Sequence, residues 1–167
     1  ETNIFYLSQG GIGLPNREYY ISDGKKEILK KYGLFIENTF KHFNPKNEKR
    51  DNAEKLLALE YALAKTMFSP AELRVPENTY NKMGFADIQK MMMPFDFSFF
   101  LKSMKVEAPD SIVVSTPKFF GNMSAMFRSF SIETWKDYLS WNIMRQSSSY
   151  LDQDLVDLHF DFYGKTL

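Results

Sequence analysis

The side chains best suited to chemistry in this chain are two histidines, His42 and His159. They lie far apart in the sequence, and neither begins a His-Glu-x-x-His pattern, in which two imidazoles on one helical face grip zinc. The sequence therefore predicts no complete histidine-based zinc site of its own. We expect His42 at the C-terminal end of a helix, where the helix dipole favours it, and His159 as a hydrogen-bonded histidine among aromatic residues.

Other catalytic groups are equally sparse. The chain has no cysteine, which excludes disulfides, thiolate nucleophiles and cysteine-ligated metals within its 167 residues. The Gly-x-Ser-x-Gly pattern of a serine nucleophile is also absent. The carboxylates occur mostly near lysine or arginine, as is typical of solvated helix faces. Those considered are Glu54, Glu60, Asp152, Asp154, Asp157 and Asp161. We therefore predict no catalytic, cofactor-binding or metal-binding residue between residues 1 and 167.

The composition is that of a globular domain with a sizeable core. Lysine plus arginine equals aspartate plus glutamate, at 21 each, so no net charge favours nucleic acid or an anionic membrane. The aromatic content of 16% is high and favours ring packing between helices. The apolar runs are far shorter than the roughly 20 residues that cross a bilayer. We expect no nucleic-acid partner and no membrane contact from this segment.

The pattern of apolar residues predicts a mainly α fold with one short strand and several helices packed orthogonally. Stripes with the 3.6-residue period, bounded by capping residues and prolines, indicate the helices. They are expected at 25–43, about 47–68, 87–93, 118–130, 131 to about 150, and from about 152 onward. Asp23 and Ser131 are candidate N-caps. The helix from Ser131 carries apolar residues around most of its circumference, so we expect it to be largely buried.

The strand is predicted at Ser111–Ser115, a β-branched run flanked by prolines. The least ordinary segment is Gly13 to Tyr20, which reads Gly-Leu-Pro-Asn-Arg-Glu-Tyr-Tyr and has no evident catalytic logic. Five further motifs follow it in order. They are Tyr-Asn-Lys-Met at 80–83, Asp-Ile-Gln at 87–89, Ile-Val-Val-Ser-Thr-Pro-Lys-Phe at 112–119, Trp-Lys-Asp-Tyr-Leu-Ser-Trp at 135–141, and Phe-Tyr-Gly-Lys-Thr-Leu at 162–167.

In this order, the set resembles the N-terminal region of the neprilysin and endothelin-converting-enzyme family of zinc metalloendopeptidases, including its bacterial oligopeptidase members. The resemblance covers nearly the whole chain. It implies that residues 1–167 are part of the N-terminal helical domain, which covers the active site and excludes large substrates. The zinc, its ligands and the catalytic glutamate are then expected in a C-terminal catalytic domain of the same polypeptide, which lies outside this chain.

The same resemblance implies a substrate class and a role for the motifs. Peptides would be cleaved on the amino side of hydrophobic residues. The matched motifs have architectural roles: Pro15 fixes a turn, Arg17 bonds carbonyl oxygens or a carboxylate, and Tyr19 and Tyr20 wedge between helices. A contribution of some aromatic side chains to a substrate-binding wall stays open. The missing cysteines favour a bacterial member, and the family favours a periplasmic, extracellular or cell-envelope location, with the cytoplasm as the other option.

A function of a different class also stays open at this point. The chain could be a stand-alone helical module that binds a protein or a peptide without catalysis. This alternative predicts a reading frame that stops near Leu167, whereas the peptidase predicts a His-Glu-x-x-His motif a few hundred residues downstream.

Overall fold

The computed structural model describes residues 4–45 and 51–167, and it confirms the mainly α class. The described α-helices are α1 Glu18–Ile21, α2 Lys26–Phe43, α3 Asp51–Thr66, α4 Pro76–Thr79, α5 Phe85–Met92, α6 Phe97–Ser103, α7 Pro117–Ser129, α8 Ile132–Ser147 and α9 Gln153–Tyr163. The predicted start of the second helix near Asn47 lies outside the described residues. None of the helices in the described ranges has the length and hydropathy that a bilayer crossing requires.

The chain divides into two compact units. The first comprises Glu1–Gly11 and Lys65–Ser129, and the second comprises Ile12–Ala64 and Phe130–Leu167. Each unit therefore takes segments from two distant parts of the sequence.

The first unit contains a three-stranded sheet. Its strands are β1 Phe5–Leu7, β2 Asn81–Gly84 and β3 Ser111–Val114, in the order β1-β3-β2. β1 runs parallel to β3, with Phe5 opposite Ile112, and β2 runs antiparallel, with Gly84 opposite Ser111. The predicted strand is thus confirmed as the central one. The expectation of a single strand was incomplete, because two edge strands of three and four residues carry too little alternation to be recognised in the sequence.

The second unit has an aromatic core between α2, α8 and α9. On α2 the ring of Phe35 stacks on that of Phe162 from α9, with centroids 5.2 Å apart and planes 7° apart. Trp141 of α8 meets Phe35 edge to face at 5.4 Å and is completely buried. Such ring pairs add specific contacts to the burial of apolar area. The aromatic residues of these three helices therefore pack against one another in the core, as expected.

The helix ends show which capping predictions hold. Ser131 caps α8 by accepting a hydrogen bond from the backbone N–H of Thr134 at 3.2 Å. Asp23, however, does not cap α2: it lies in a short 3-10 turn at Asp23–Lys25, and α2 begins at Lys26 without a side-chain cap. The prediction was wrong because an extra turn precedes the helix, which moves the acidic residue away from the first N–H groups of α2.

The expectation that α8 is largely buried holds for one side of the helix only. Its inward-facing residues, among them Tyr138 and Trp141, are buried. On the other side three large aliphatic residues face outward. We call them the outer stripe: Ile132 (65% exposed), Leu139 (60%) and Ile143 (68%). The difference arises because nothing in the described chain covers this side of α8.

Candidate functional site: a buried carboxylate among tyrosines

The octapeptide from Gly13 to Tyr20 ends against a carboxylate from a different helix. Tyr20 lies on α1, is 5% exposed, and donates its hydroxyl hydrogen to Oε2 of Glu60 at 2.6 Å. The same hydroxyl oxygen accepts a hydrogen bond from the backbone N–H of Leu14 at 3.0 Å, so Tyr20 also contacts the beginning of its own motif. The expected wedge role of Tyr20 is therefore realised through one specific acceptor, Glu60.

Glu60 is completely buried on α3 and accepts three hydrogen bonds. Besides Tyr20, the backbone N–H of Gly13 donates to Oε2 at 3.3 Å and the hydroxyl of Tyr32 donates to Oε1 at 3.2 Å. The prediction that Glu60 lies on a solvated helix face was wrong. A signal for the correct placement exists in the sequence, because Glu60 falls on the same stripe of α3 as the buried Leu56 and Leu63.

The tyrosine network extends from Glu60 to two more helices. The indole N–H of Trp141 on α8 donates to the hydroxyl oxygen of Tyr32 at 3.0 Å. The hydroxyl of Tyr163, at the end of α9, donates to the carbonyl oxygen of Gly13 at 2.9 Å. We call this set the Glu60 network; it comprises Gly13, Leu14, Tyr20, Tyr32, Glu60, Trp141 and Tyr163. It joins the octapeptide segment, α2, α3, α8 and α9 through polar atoms that all have hydrogen-bond partners. We call the octapeptide segment, residues 13–20, the motif loop.

Gly13 is the point where the network leaves no room for a side chain. A Cβ atom placed on Gly13 would lie 1.8 Å from the hydroxyl oxygen of Tyr32 and 2.7 Å from its Cζ. Both distances are far below van der Waals contact, and Tyr32 is completely buried. Glycine at this position is therefore required by close approach, which explains the first residue of the motif.

The electrostatics of the network follow from its burial. Burial raises the pKa of Glu60, while the donors Tyr20, Gly13 and Tyr32, and the charge of Arg145, partly offset this effect. Burial and the neighbouring Glu60 also raise the pKa values of Tyr20 and Tyr32, so both hydroxyls keep their protons and continue to donate. The network therefore has one titratable group in the acid range, Glu60.

The titration of Glu60 predicts a specific pH dependence of stability. Its folded-state pKa lies above the ordinary value of 4.5. The stability that Glu60 contributes is thus fully present below the unfolded-state pKa and is lost as the pH rises through the folded-state pKa. We expect the wild type to lose stability relative to Glu60→Gln as the pH is raised from about 4. Urea unfolding of both proteins between pH 4 and 8 measures this difference, and parallel curves would contradict it.

The remaining octapeptide residues have peripheral contacts. The Lys25 ammonium lies 4.6 Å from the ring centroid of Tyr19, which is a cation–π contact. The Nε atom of Arg17 lies 3.7 Å from a carboxylate oxygen of Glu18, which is an ion pair but too long for the expected hydrogen bond. The motif thus has buried residues at both ends, Gly13 and Leu14 at the beginning and Tyr20 at the end, and a half-buried part at 16–19 between them.

The two histidines occupy separate places in the second unit. His42 lies in the last turn of α2, as predicted, and its Nε2 is 2.9 Å from Oδ2 of Asp152. His159 packs against the ring of Tyr163, with centroids 4.7 Å apart, which confirms its aromatic surroundings. Burial and the nearby Arg145 lower the pKa of His159.

One group of possible metal ligands surrounds His42. A ligand atom of each of His42, Asp152 and Asp154 lies within 4.8 Å of the others. Asp152 is already engaged twice, since its Oδ1 caps α9 by accepting the N–H of Leu155 at 3.1 Å and its Oδ2 contacts His42. This N–H and His42 hold the pKa of the Asp152 carboxyl below its ordinary value. The geometry is that of a helix cap with a histidine–carboxylate hydrogen bond, which are ordinary stabilising contacts.

Among the described residues, the Glu60 network is the most elaborate polar arrangement, and its geometry is structural. Both oxygens of Glu60 are occupied by donors and the side chain has no exposed surface. A general base needs access to a substrate proton, which this carboxylate lacks. Its hydrogen bonds instead fix the relative positions of the five segments that the Glu60 network joins.

Comparison with known proteins gives this architecture a context. The family model described as peptidase family M13 matches residues 1–167. Endothelin-converting enzyme 1 of Rattus norvegicus is 26% identical over 163 residues, which cover 93% of this chain and 21% of that protein. Membrane metallo-endopeptidase-like 1 of Mus musculus is 25% identical over 185 residues, covering 99% of this chain and 24% of that protein.

Solved structures show the same relationship. The crystal structure of the Mycobacterium tuberculosis zinc metalloprotease Zmp1 in complex with an inhibitor matches with a TM-score of 0.91 and 28% identity, over 97% of this chain and 25% of that one. The cryo-EM structure of Zmp1 in its open state gives a TM-score of 0.89 and 30% identity, over 97% and 26%. This chain thus spans about a quarter of the length of these relatives. Because the family model matches from the first residue to the last, the chain belongs to peptidase family M13.

Proposed function

We propose that residues 1–167 form part of the N-terminal helical domain of a zinc-dependent metalloendopeptidase. In that protein the domain covers the active-site chamber and limits the size of substrates, which are peptides cleaved on the amino side of hydrophobic residues. The partner of this chain is the C-terminal catalytic domain of the same polypeptide. The observation that carries the proposal is the family match over the whole chain, together with the fold it shares with a zinc metalloprotease.

The Glu60 network supports a covering role in particular. A wall that excludes large substrates must keep its shape, and sites are held most firmly by rigid elements with satisfied polar contacts. The network joins four helices and the motif loop through buried hydrogen bonds of 2.6 to 3.3 Å. The shape of the chamber would then depend on this chain, while the chemistry would depend on the catalytic domain.

The residues that the structure describes do not fit a catalytic zinc centre. Such a centre uses three protein ligands, commonly two histidines and a glutamate, and keeps one position open. His42 is paired with Asp152, and His159 lies against aromatic rings elsewhere on α9. We therefore place the zinc in the catalytic domain and derive no catalytic step from this chain.

The proposal predicts different activities for the gene-length polypeptide and for residues 1–167. The gene-length polypeptide should cleave a quenched fluorescent peptide, lose activity with a chelator and regain it with zinc. Residues 1–167 with added zinc should give no turnover, because the expected ligands lie elsewhere. Mass spectrometry of the products should show cuts before hydrophobic residues, and the same peptide within a folded protein should resist cleavage.

Two results would contradict this assignment. Chelator-sensitive cleavage by residues 1–167 alone would place the chemistry in this chain. A gene-length polypeptide that binds partners but cleaves no peptide would favour the helical interaction module instead.

A further inference from the structure

A polar cavity lies within the second unit, between the end of α2, the beginning of α3 and the first two turns of α8. Its volume is about 520 Å³, which is within the range of ligand sites in proteins. Most ligand sites have a largely apolar lining. Here the described residues of the lining all carry amide, hydroxyl or charged side chains, so the cavity suits a polar ligand.

The amide of Asn52, in the first turn of α3, faces this cavity and lacks a partner. The residue is 8% exposed, and within the described ranges no group forms a hydrogen bond with its side chain. The two hydroxyls of the lining, in contrast, are engaged with each other, since Oγ of Ser131 lies 3.1 Å from Oγ1 of Thr134. Buried polar groups nearly always have partners, so the Asn52 amide points to a ligand that supplies them.

Three charged side chains of α8 line the same cavity. Glu133, Lys136 and Asp137 form no ion pair with any residue that the structure describes. Glu133 and Asp137 are four residues apart, which places their carboxylates on neighbouring turns of one helix face, where both can accept from one ammonium group. Lys136, together with Lys55 from α3, brings positive charge to the same space.

This set of groups favours a ligand that has both charges. A metal ion would face two lysines and an inorganic anion would face two carboxylates, and like charges at close range repel. An ammonium group, by contrast, fits the carboxylates, a carboxylate fits the lysines, and an amide matches the donors and acceptor of Asn52. A short peptide with free ends carries all three of these groups.

The size of the cavity sets the length of the peptide. Treated as a sphere, 520 Å³ is roughly 10 Å across, which is about the reach of three extended residues at about 3.5 Å each. We propose that this cavity binds a peptide of about three residues through its free amino and carboxyl ends. The inference goes beyond the proposed function, which concerns the active-site chamber and assigns nothing to this cavity.

Binding of triglycine to the gene-length polypeptide tests the proposal, with saturation-transfer NMR of the ligand as the measurement. Triglycine has both charged ends and no hydrophobic side chain, so the proposed peptidase should leave it intact. We expect saturable binding of triglycine and at least about tenfold weaker binding of N-acetyl-triglycine amide, which lacks both charges. Glycine, which has the charges but no peptide amide, should also bind at least about tenfold more weakly.

Three variants locate the binding. Glu133→Gln removes one carboxylate from the lining and should weaken triglycine binding about fivefold. Glu54→Gln is the matched control, because Glu54 is exposed on α3 and does not line the cavity, and it should leave the affinity unchanged. Asn52→Leu keeps a side chain of similar size without the amide and should weaken binding at least about tenfold.

Three results would each overturn the inference. Without saturable binding of triglycine, the cavity holds water only. Equal affinities for triglycine and its blocked form would show that the charged ends are not recognised. Equal affinities of Glu133→Gln and Glu54→Gln would place the binding elsewhere.

The proposed function and this inference fail separately. A gene-length polypeptide that binds triglycine but cleaves no peptide keeps the peptide-binding cavity and loses the function. One that shows zinc-dependent cleavage but binds no triglycine keeps the function and loses the cavity as a peptide site.

Discussion

Replacing Glu60 with alanine should lower the free energy of unfolding by about 3–5 kcal/mol. The substitution leaves the hydroxyls of Tyr20 and Tyr32 and the N–H of Gly13 without their buried acceptor. An unsatisfied buried donor costs about 1–3 kcal/mol, and the empty volume adds the cost of a cavity. Because Glu60 is completely buried, water cannot replace the carboxylate without the surrounding helices moving.

Two matched variants separate the loss of hydrogen bonds from the loss of a charge. Glu60→Gln keeps the size of the side chain and one acceptor oxygen, so it should cost only about 1–2 kcal/mol. Glu54→Ala removes an exposed carboxylate from the same helix and should change stability by about 0.5 kcal/mol or less. Urea unfolding at neutral pH measures all three. If Glu60→Ala were no more destabilising than Glu54→Ala, the network would not hold the second unit together.

The sequence predicts the longer helices because their signals are local, whereas the short helices α1, α4 and α6 were not predicted. The apolar period of α2 and the serine before α8 are readable within a few residues. The edge strands β1 and β2 were missed because their stability comes from pairing with β3, which is over 100 residues from β1. Short segments with non-local partners carry no such local signal.

The Glu60 network shows the same limit at the level of the site. The octapeptide is conspicuous in the sequence, and architectural roles for its tyrosines follow from residue chemistry. Its acceptor, however, lies 40 residues beyond Tyr20, and its link to Tyr163 spans 150 residues. Sequence periodicity places Glu60 on an apolar stripe but cannot say which hydroxyls meet it. Without an identified partner, a lone glutamate among leucines is interpreted more readily as a solvated residue.

The outer stripe illustrates a different limit, in which the residue pattern of a helix does not match its exposure in the structure. Apolar residues around most of α8 predict a largely buried helix, and that prediction is wrong for Ile132, Leu139 and Ile143 in this structure.

Gly13→Ala should be among the most destabilising single-methyl additions in this chain, at about 3–5 kcal/mol. The new Cβ would lie 1.8 Å from the hydroxyl oxygen of Tyr32, which is held by Glu60 and by the indole of Trp141. Relieving the overlap requires Tyr32 to move, which stretches both hydrogen bonds in a site where water cannot compensate. Overpacking alone costs about 1–3 kcal/mol, and each lost buried bond adds about 1 kcal/mol.

If contact with Tyr32 is the reason for glycine at position 13, the cost of Gly13→Ala must depend on the Tyr32 hydroxyl. A requirement for backbone freedom alone would not produce this dependence. Tyr32→Phe removes the atom nearest to the new methyl group, so Gly13→Ala should cost about 1–2 kcal/mol less in that background than in the wild type. Gly24→Ala is the control, since no atom lies within 4 Å of its Cβ position, and it should be neutral or stabilise by up to about 1 kcal/mol. Thermal and urea unfolding of the four proteins complete the cycle. Equal costs of Gly13→Ala in both backgrounds would mean that backbone freedom, rather than contact with Tyr32, selects glycine at the start of the motif.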